Sequence, residues 1–207
     1  MRYAVLAGTV ALGLAPFAAQ AGGYVAPAEP APAVVPVAPA PVGYDWTGAY
    51  GGVQLEYGDV TVDTTGGAFV ADGDGLLYGV FGGYRYDFGT LVVGAELDLN
   101  FADIDLNDAS GATIGTLDSV HRLGLEVGYD AGPALIYGTA GLAMASATIG
   151  GSDFQDNGYF YGVGVDYLLT DNVVIGAEVL QHEFDDFDNL GLDVSATTFG
   201  INAAFRF

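Results

Sequence analysis

Nine charged residues recur at the centres of alternating stretches of this chain: Glu56, Arg85, Glu96, Asp98, Arg122, Glu126, Asp166, Glu178 and Arg206. All but Arg122, which follows His121, stand between two apolar neighbours. Six acids and three arginines on one face suit an internal network of ion pairs, with surplus carboxylates that must be hydrated or carry protons. A path for cations is the other chemistry such a face offers. Nucleophilic catalysis finds no support, because no Ser-His-Asp set is assembled by spacing and the chain has no cysteine. His121 and His182 fall near segment ends, where an exposed polar side chain is the ordinary reading. The runs Asp72-Gly73-Asp74-Gly75, Asp103 to Asp108 and Asp185 to Asn189 resemble fragments of calcium loops. None completes an EF-hand: the second run has Asp108 where that loop needs glycine, and its twelfth position is Ile114. A solvated acidic surface is favoured over a metal site, so neither a metal centre nor a cofactor is expected.

The elements that carry these residues are strands. Apolar residues recur with period two in eight stretches, at 46–60, 75–87, 91–101, 118–129, 134–146, 158–169 and 173–184, with the last running to Phe207. The third is the clearest: Leu91, Val93, Ala95, Leu97, Leu99 and Phe101 face one way, and Glu96, Asp98 and Asn100 the other. The fifth is rich in Ala and Gly, and its facing is ambiguous. Phe88-Gly89, residues 130–133 and Thr170-Asp171-Asn172 are tight turns. The other four connections, 61–74, 102–117, 147–157 and 185–191, read as longer acidic loops.

Composition narrows the class. The chain has 207 residues, 51% of them hydrophobic, with 33 glycines and a formal charge of −22. Four arginines against 26 acids exclude nucleic-acid binding, which needs cations to replace released counterions. Residues 1–21 carry Arg2, an apolar stretch and Ala19-Gln20-Ala21, and read as a secretory signal peptide. Residues 22–43 hold six of the eight prolines and read as an Ala/Pro-rich periplasmic linker, spanning roughly 60 to 70 Å if extended as polyproline II. A barrel domain is expected over 44–207.

Alternation does not by itself say which face is inside. A soluble periplasmic carrier would turn the apolar face inward around a ligand. Three features favour outward: the charged face is crowded with glycine and has no lysine, aromatics on the apolar face gather at the strand ends, and a signal peptide comes without any cysteine. Trp46, Tyr84, Tyr86, Tyr129, Tyr167 and Phe205 form one row, and Tyr57, Tyr78, Phe101 and Tyr159 the other. The blocks DWTGAYGGVQLEYG, GVFGGYRYDFGTLVVGAELDL, RLGLEVGY, YGTAGLA, GVGVDYLLTDN and AEVLQHEF, in this order, resemble the small outer-membrane proteins and surface antigens related to the OmpA transmembrane barrel of Gram-negative bacteria.

The resemblance implies an all-β fold, an eight-stranded antiparallel up-and-down transmembrane β-barrel in the outer membrane. It also implies an assembly signal at Phe205 and Phe207, read by the barrel-assembly machinery, although Asn202 stands where that signal favours glycine. The peptidoglycan-binding function of full-length OmpA is not carried over. The expected partners are outer-membrane lipids and lipopolysaccharide, the latter reached through divalent cations because the loops are acidic. The expected function is structural or surface-interacting and without catalysis. The alternatives are a narrow cation-selective pore and the soluble carrier.

Overall fold

A computed structural model describes residues 44–187 and 190–207. The expected signal peptide and Ala/Pro-rich linker, with Asp188 and Asn189, lie outside the described residues. Eight strands follow one another: β1 (Gly48–Thr64), β2 (Phe69–Asp87), β3 (Leu91–Asp108), β4 (Thr113–Asp130), β5 (Ala134–Ile149), β6 (Ser152–Leu168), β7 (Val173–Phe184) and β8 (Leu192–Arg206). Each pairs antiparallel with the next, and β8 closes on β1 with Leu55 opposite Ile201 and Gly51 opposite Phe205. Closure leaves no free sheet edge. Two of the three short turns carry glycine where the chain reverses with positive φ, at Gly89 (104°) and Gly132 (84°).

The outward face is apolar along the band where the strand centres lie. Leu97, Leu99, Leu123, Leu125, Val163 and Ile201 all point out, and a one-residue slip would bury them and expose the charges. The soluble-carrier reading fails here, because the long alternating stretches present their aliphatic face to the surroundings. Tyr84, Tyr86, Tyr129, Tyr167 and Phe205 ring one end of this band, and Tyr57, Tyr78, Phe101 and Tyr159 the other. Trp46 does not join them. It is 1% exposed and sits under the barrel's short-turn end, its indole Nε1 donating to the carbonyl of Gly132 at 3.3 Å. Strand β5 acquires a clear facing: Leu135, Tyr137, Thr139, Ala143, Ala145 and Ala147 point in, while Ile136, Leu142 and Met144 point out.

Three of the four long loops are corrected, and the fourth, 185–191, keeps its expected bounds. Strand pairing continues through most of them, leaving only 65–68, 109–112, 150–151 and 185–191 between strands. The cause is an exchange of faces that conceals the strands. Beyond Tyr57 the outward positions of β1 become Asp59, Thr61 and Asp63, while Val60 (2% exposed) and Val62 turn inward. The same exchange occurs in β3, where Asp103 and Asp105 point out and Ile104 and Leu106 in. Period two persists, but the polar face is now the outer one, as on any sheet that meets water. Asp72 and Asp74, or Asp103 and Asp105, are therefore neighbours on a strand, roughly 7 Å apart along it, and do not wrap around a centre as calcium-loop carboxylates do.

The interior is layered as a result. Trp46, Val92, Leu135, Leu168, Val174 and Ala204 fill the short-turn end. A charged belt follows, and above it an apolar layer that includes Leu77, Ile104, Leu117, Phe160 and Phe184.

Candidate functional site: a charged belt across the barrel

Seven strands contribute side chains to the belt because their inward positions fall at one level. Two arginines organise it. Arg85 from β2 grips Glu126 of β4 with two donors, Nε to Oε2 at 2.7 Å and Nη2 to Oε1 at 3.0 Å. Its Nη1 donates to Asp166 of β6 at 2.5 Å. Tyr50 and Tyr137 lie against the guanidinium, with ring centres 4.5 and 5.2 Å from Cζ. Arg122 from β4 takes Glu56 of β1 the same way, Nη2 to Oε1 at 2.5 Å and Nη1 to Oε2 at 3.1 Å. Its Nη2 also reaches Asp98 of β3 at 3.1 Å. Both arginines are almost wholly buried, so the paired, planar geometry offsets a desolvation that a single contact would not.

Neutral groups extend the belt. Gln54 donates through Nε2 to Asp98 at 2.9 Å and to Asn100 at 2.7 Å. The hydroxyls of Tyr50 and Tyr137 donate to Glu126 at 3.3 Å and to Glu178 at 2.9 Å. Glycines across the lumen provide the room. A Cβ at Gly164 would stand 2.4 Å from the Tyr137 ring, and one at Gly176 would stand 2.1 Å from Asp166 Oδ1. The glycine-rich inward face thus has a steric cause.

Of the nine charged residues singled out in the sequence, six form the two arginine-centred groups: Arg85 with Glu126 and Asp166, and Arg122 with Glu56 and Asp98. Glu96 and Glu178 approach Glu126, and carboxylate oxygens of the three lie within 4.8 Å of one another. Arg206 stands apart. It lies at the short-turn rim, 5.5 Å over the Trp46 ring, and donates to the carbonyl of Asp45. Phe205 and Phe207 stack edge to face at 5.2 Å on the outer rim of the same end.

His182 departs from the exposed position expected for it. It is 1% exposed and stacks on Phe160 at 5.9 Å, with Nδ1 3.3 Å from the carbonyl oxygen of Ala196 and Nε2 3.5 Å from Arg122 Nη1. His121 faces outward, edge-on to Phe101 at 6.1 Å. Tyr137 and Phe160 were not singled out from the sequence as belt residues. Each is an inward aromatic that faces glycine across the ladder, Tyr137 opposite Gly128 and Gly164 and Phe160 opposite Gly141, a pairing that shows only once the register is known.

The sequence model of the family described as outer membrane protein beta-barrel domain matches residues 31–207. The chain is similar to the 25 kDa outer-membrane immunogenic protein of Brucella canis, 30% identical over 195 residues that cover 91% of this chain and 87% of that protein. It is 30% identical over 124 residues to the 22 kDa outer membrane protein of Rhizobium leguminosarum bv. viciae, a match spanning 58% of this chain and 56% of that one. Among solved structures, the fold is similar to outer membrane protein AlkL in lipid bilayers (TM-score 0.51, 16% identity, 81% of this chain and 93% of that chain). It is similar also to Neisserial surface protein A (TM-score 0.50, 19% identity, 77% of this chain and 99% of that chain).

Proposed function

The chain belongs to the outer-membrane β-barrel family, and from that premise we propose that it is a structural, surface-interacting protein of the outer membrane, closed to diffusion and without catalysis. The observation that carries this reading is the belt. An eight-stranded barrel has an interior just wide enough for side chains to fill, and here two arginines tie strands on opposite walls together across it. A solute would have to break buried, doubly bonded ion pairs to pass.

The surface-interaction part of the proposal rests on the acidic hairpins. Asp59, Asp72, Asp74, Asp103, Asp105, Asp118 and Asp153 are exposed on strands that rise past the aromatic row. Such a rim repels lipopolysaccharide phosphates unless Mg²⁺ or Ca²⁺ bridges the two, so divalent-dependent contact with lipopolysaccharide belongs to the same proposal. Reading of Phe205 and Phe207 by the barrel-assembly machinery belongs to it as well.

Planar-bilayer conductance of the purified, folded protein is the test. No discrete current steps are expected at neutral pH. Reproducible cation-selective steps would overturn the closed-barrel reading in favour of a narrow pore through the Glu96, Glu126 and Glu178 carboxylates.

A further inference from the structure

Above the belt, the barrel interior is not filled. A cavity of about 70 Å³, measured as room for the centre of a water-sized sphere, lies between the hairpin extensions. Every strand except β6 contributes to its wall, with Val60, Ile104, Leu117, Ala145, Phe184 and Val194 as examples, and among the described residues no polar atom is exposed within it. His182 and Thr198 form its floor. His182 has both ring nitrogens beside other groups, the carbonyl of Ala196 and Arg122, which leaves ring carbon for the cavity.

Two features separate this chamber from an ordinary core. First, small residues keep it open. Strand β5 places Ala145 and Ala147 at successive inward positions on its wall, and Ala71 and Ala196 add to them from other strands. Larger aliphatic residues there would close the space, as tight packing does in most interiors. Second, the chamber is apolar at the end of the barrel that meets water, on strands whose outward neighbours are aspartates. An inward face there has water at hand and no need of an unbroken apolar lining.

Charge narrows the occupant. The Glu56 and Asp98 carboxylates lie below the floor on Arg122, and the aspartate rim surrounds the mouth, so an anion is repelled at both ends. A cation would lose its hydration against a wall whose described residues expose no acceptor to it. We propose that the outer chamber is a binding site for a small neutral apolar molecule, a short alkyl chain or a single aromatic ring without a charged group. An apolar cavity of about 150 Å³ stays dry and takes up benzene, so a ring enters this smaller chamber as its hairpin walls give way, and a short alkyl chain with less displacement.

The test is a methyl NMR titration of the folded full chain in lipid nanodiscs, with toluene as the neutral probe and benzoate as its anionic counterpart. Toluene should produce saturable shifts at Val60, Ile104 and Leu117 that the lipid-facing Leu97, Leu99 and Leu123 do not share. Benzoate should produce none. The Ala145→Phe variant, with Ala147→Leu as a milder filling in case the first does not fold, should abolish the toluene response while remaining heat-modifiable on a gel. Shifts that rise linearly and appear equally at lipid-facing methyls would overturn the proposal, since they report partition into lipid. So would a response unchanged in a folded, filled variant, or a benzoate response equal to that of toluene. The inference is independent of the closed-barrel reading, because the belt lies beneath the chamber and conductance does not depend on what the chamber holds.

Discussion

Leu97 and Asp98 are adjacent in sequence and point to opposite faces of the barrel wall. Leu97 is 49% exposed on the outer face in mid-band, opposite Leu123, whereas Asp98 is buried against Arg122. Leu97→Arg should cost about 2 to 4 kcal/mol, as cations do near a bilayer midplane. Asp98→Asn should cost less, because Arg122 keeps both bonds to Glu56 and an amide can still accept from Gln54. The severe change on the inner face is Arg122→Met, which leaves two carboxylates buried without their cation and should cost about 3 to 5 kcal/mol. Urea-driven unfolding from lipid vesicles, followed through Trp46, the chain's one tryptophan, gives all three values. A more damaging Asp98→Asn than Leu97→Arg would reverse the assignment of faces. The charges of the belt are legible in the sequence because they occupy the second face of a period-two alternation. Trp46 and His182 are not, since an aromatic or a histidine near a strand end fits the rim as well as the interior, and only the barrel's closure decides between them.

At the scale of elements, the central bands of the strands were legible and their extensions were not. The sequence marks a strand by a constant apolar face, and where the faces exchange, an acidic strand looks like an acidic loop. The extensions differ from loops in their backbone pairing. Amides at 60–63 and 71–72, which lie in the β1–β2 ladder, should therefore exchange with solvent deuterium slowly compared with 65–68. Prompt exchange across the whole of 61–74 would restore the loop. The β3–β4 hairpin offers a pH test. The Ser110 hydroxyl, followed by the backbone amides of Ala112 and Ser110, holds Asp108 below its ordinary carboxylate range. A depressed carboxylate stabilises the turn above its unfolded value of about 3.8 and loses that contribution as pH falls through the lower folded value. The Ser110 and Ala112 amides should accordingly stay protected at neutral pH and lose protection only in strong acid. Asp108→Ala should remove the protection at every pH.

For the whole molecule, closure rests on the last strand. Strand β8 pairs with both β7 and β1 along its length, so Phe205 stands opposite Gly51 on one side and Val173 on the other. The Phe207 amide donates to the carbonyl of Ala49 at 3.0 Å and continues the seam to the rim. A barrel in lipid satisfies its backbone only when this seam is complete, because no water reaches unpaired groups in the hydrocarbon region. The two phenylalanines lie where the outer face meets the membrane boundary, a place that aromatic rings favour and serine does not anchor. Changing Phe205 and Phe207 together to Ser should therefore lower the amount of folded barrel in the outer membrane. The unfolded remainder has open strand edges, which invite aggregation and proteolysis. Leu125→Ser, one change at an equally outward position on β4 and away from the seam, should cost far less folded protein. Heat-modifiability on a gel and protease access to the hairpin tips measure both variants. Normal levels of the double variant would mean that its two aromatics only line the rim, and that closure and assembly draw on the rest of β8.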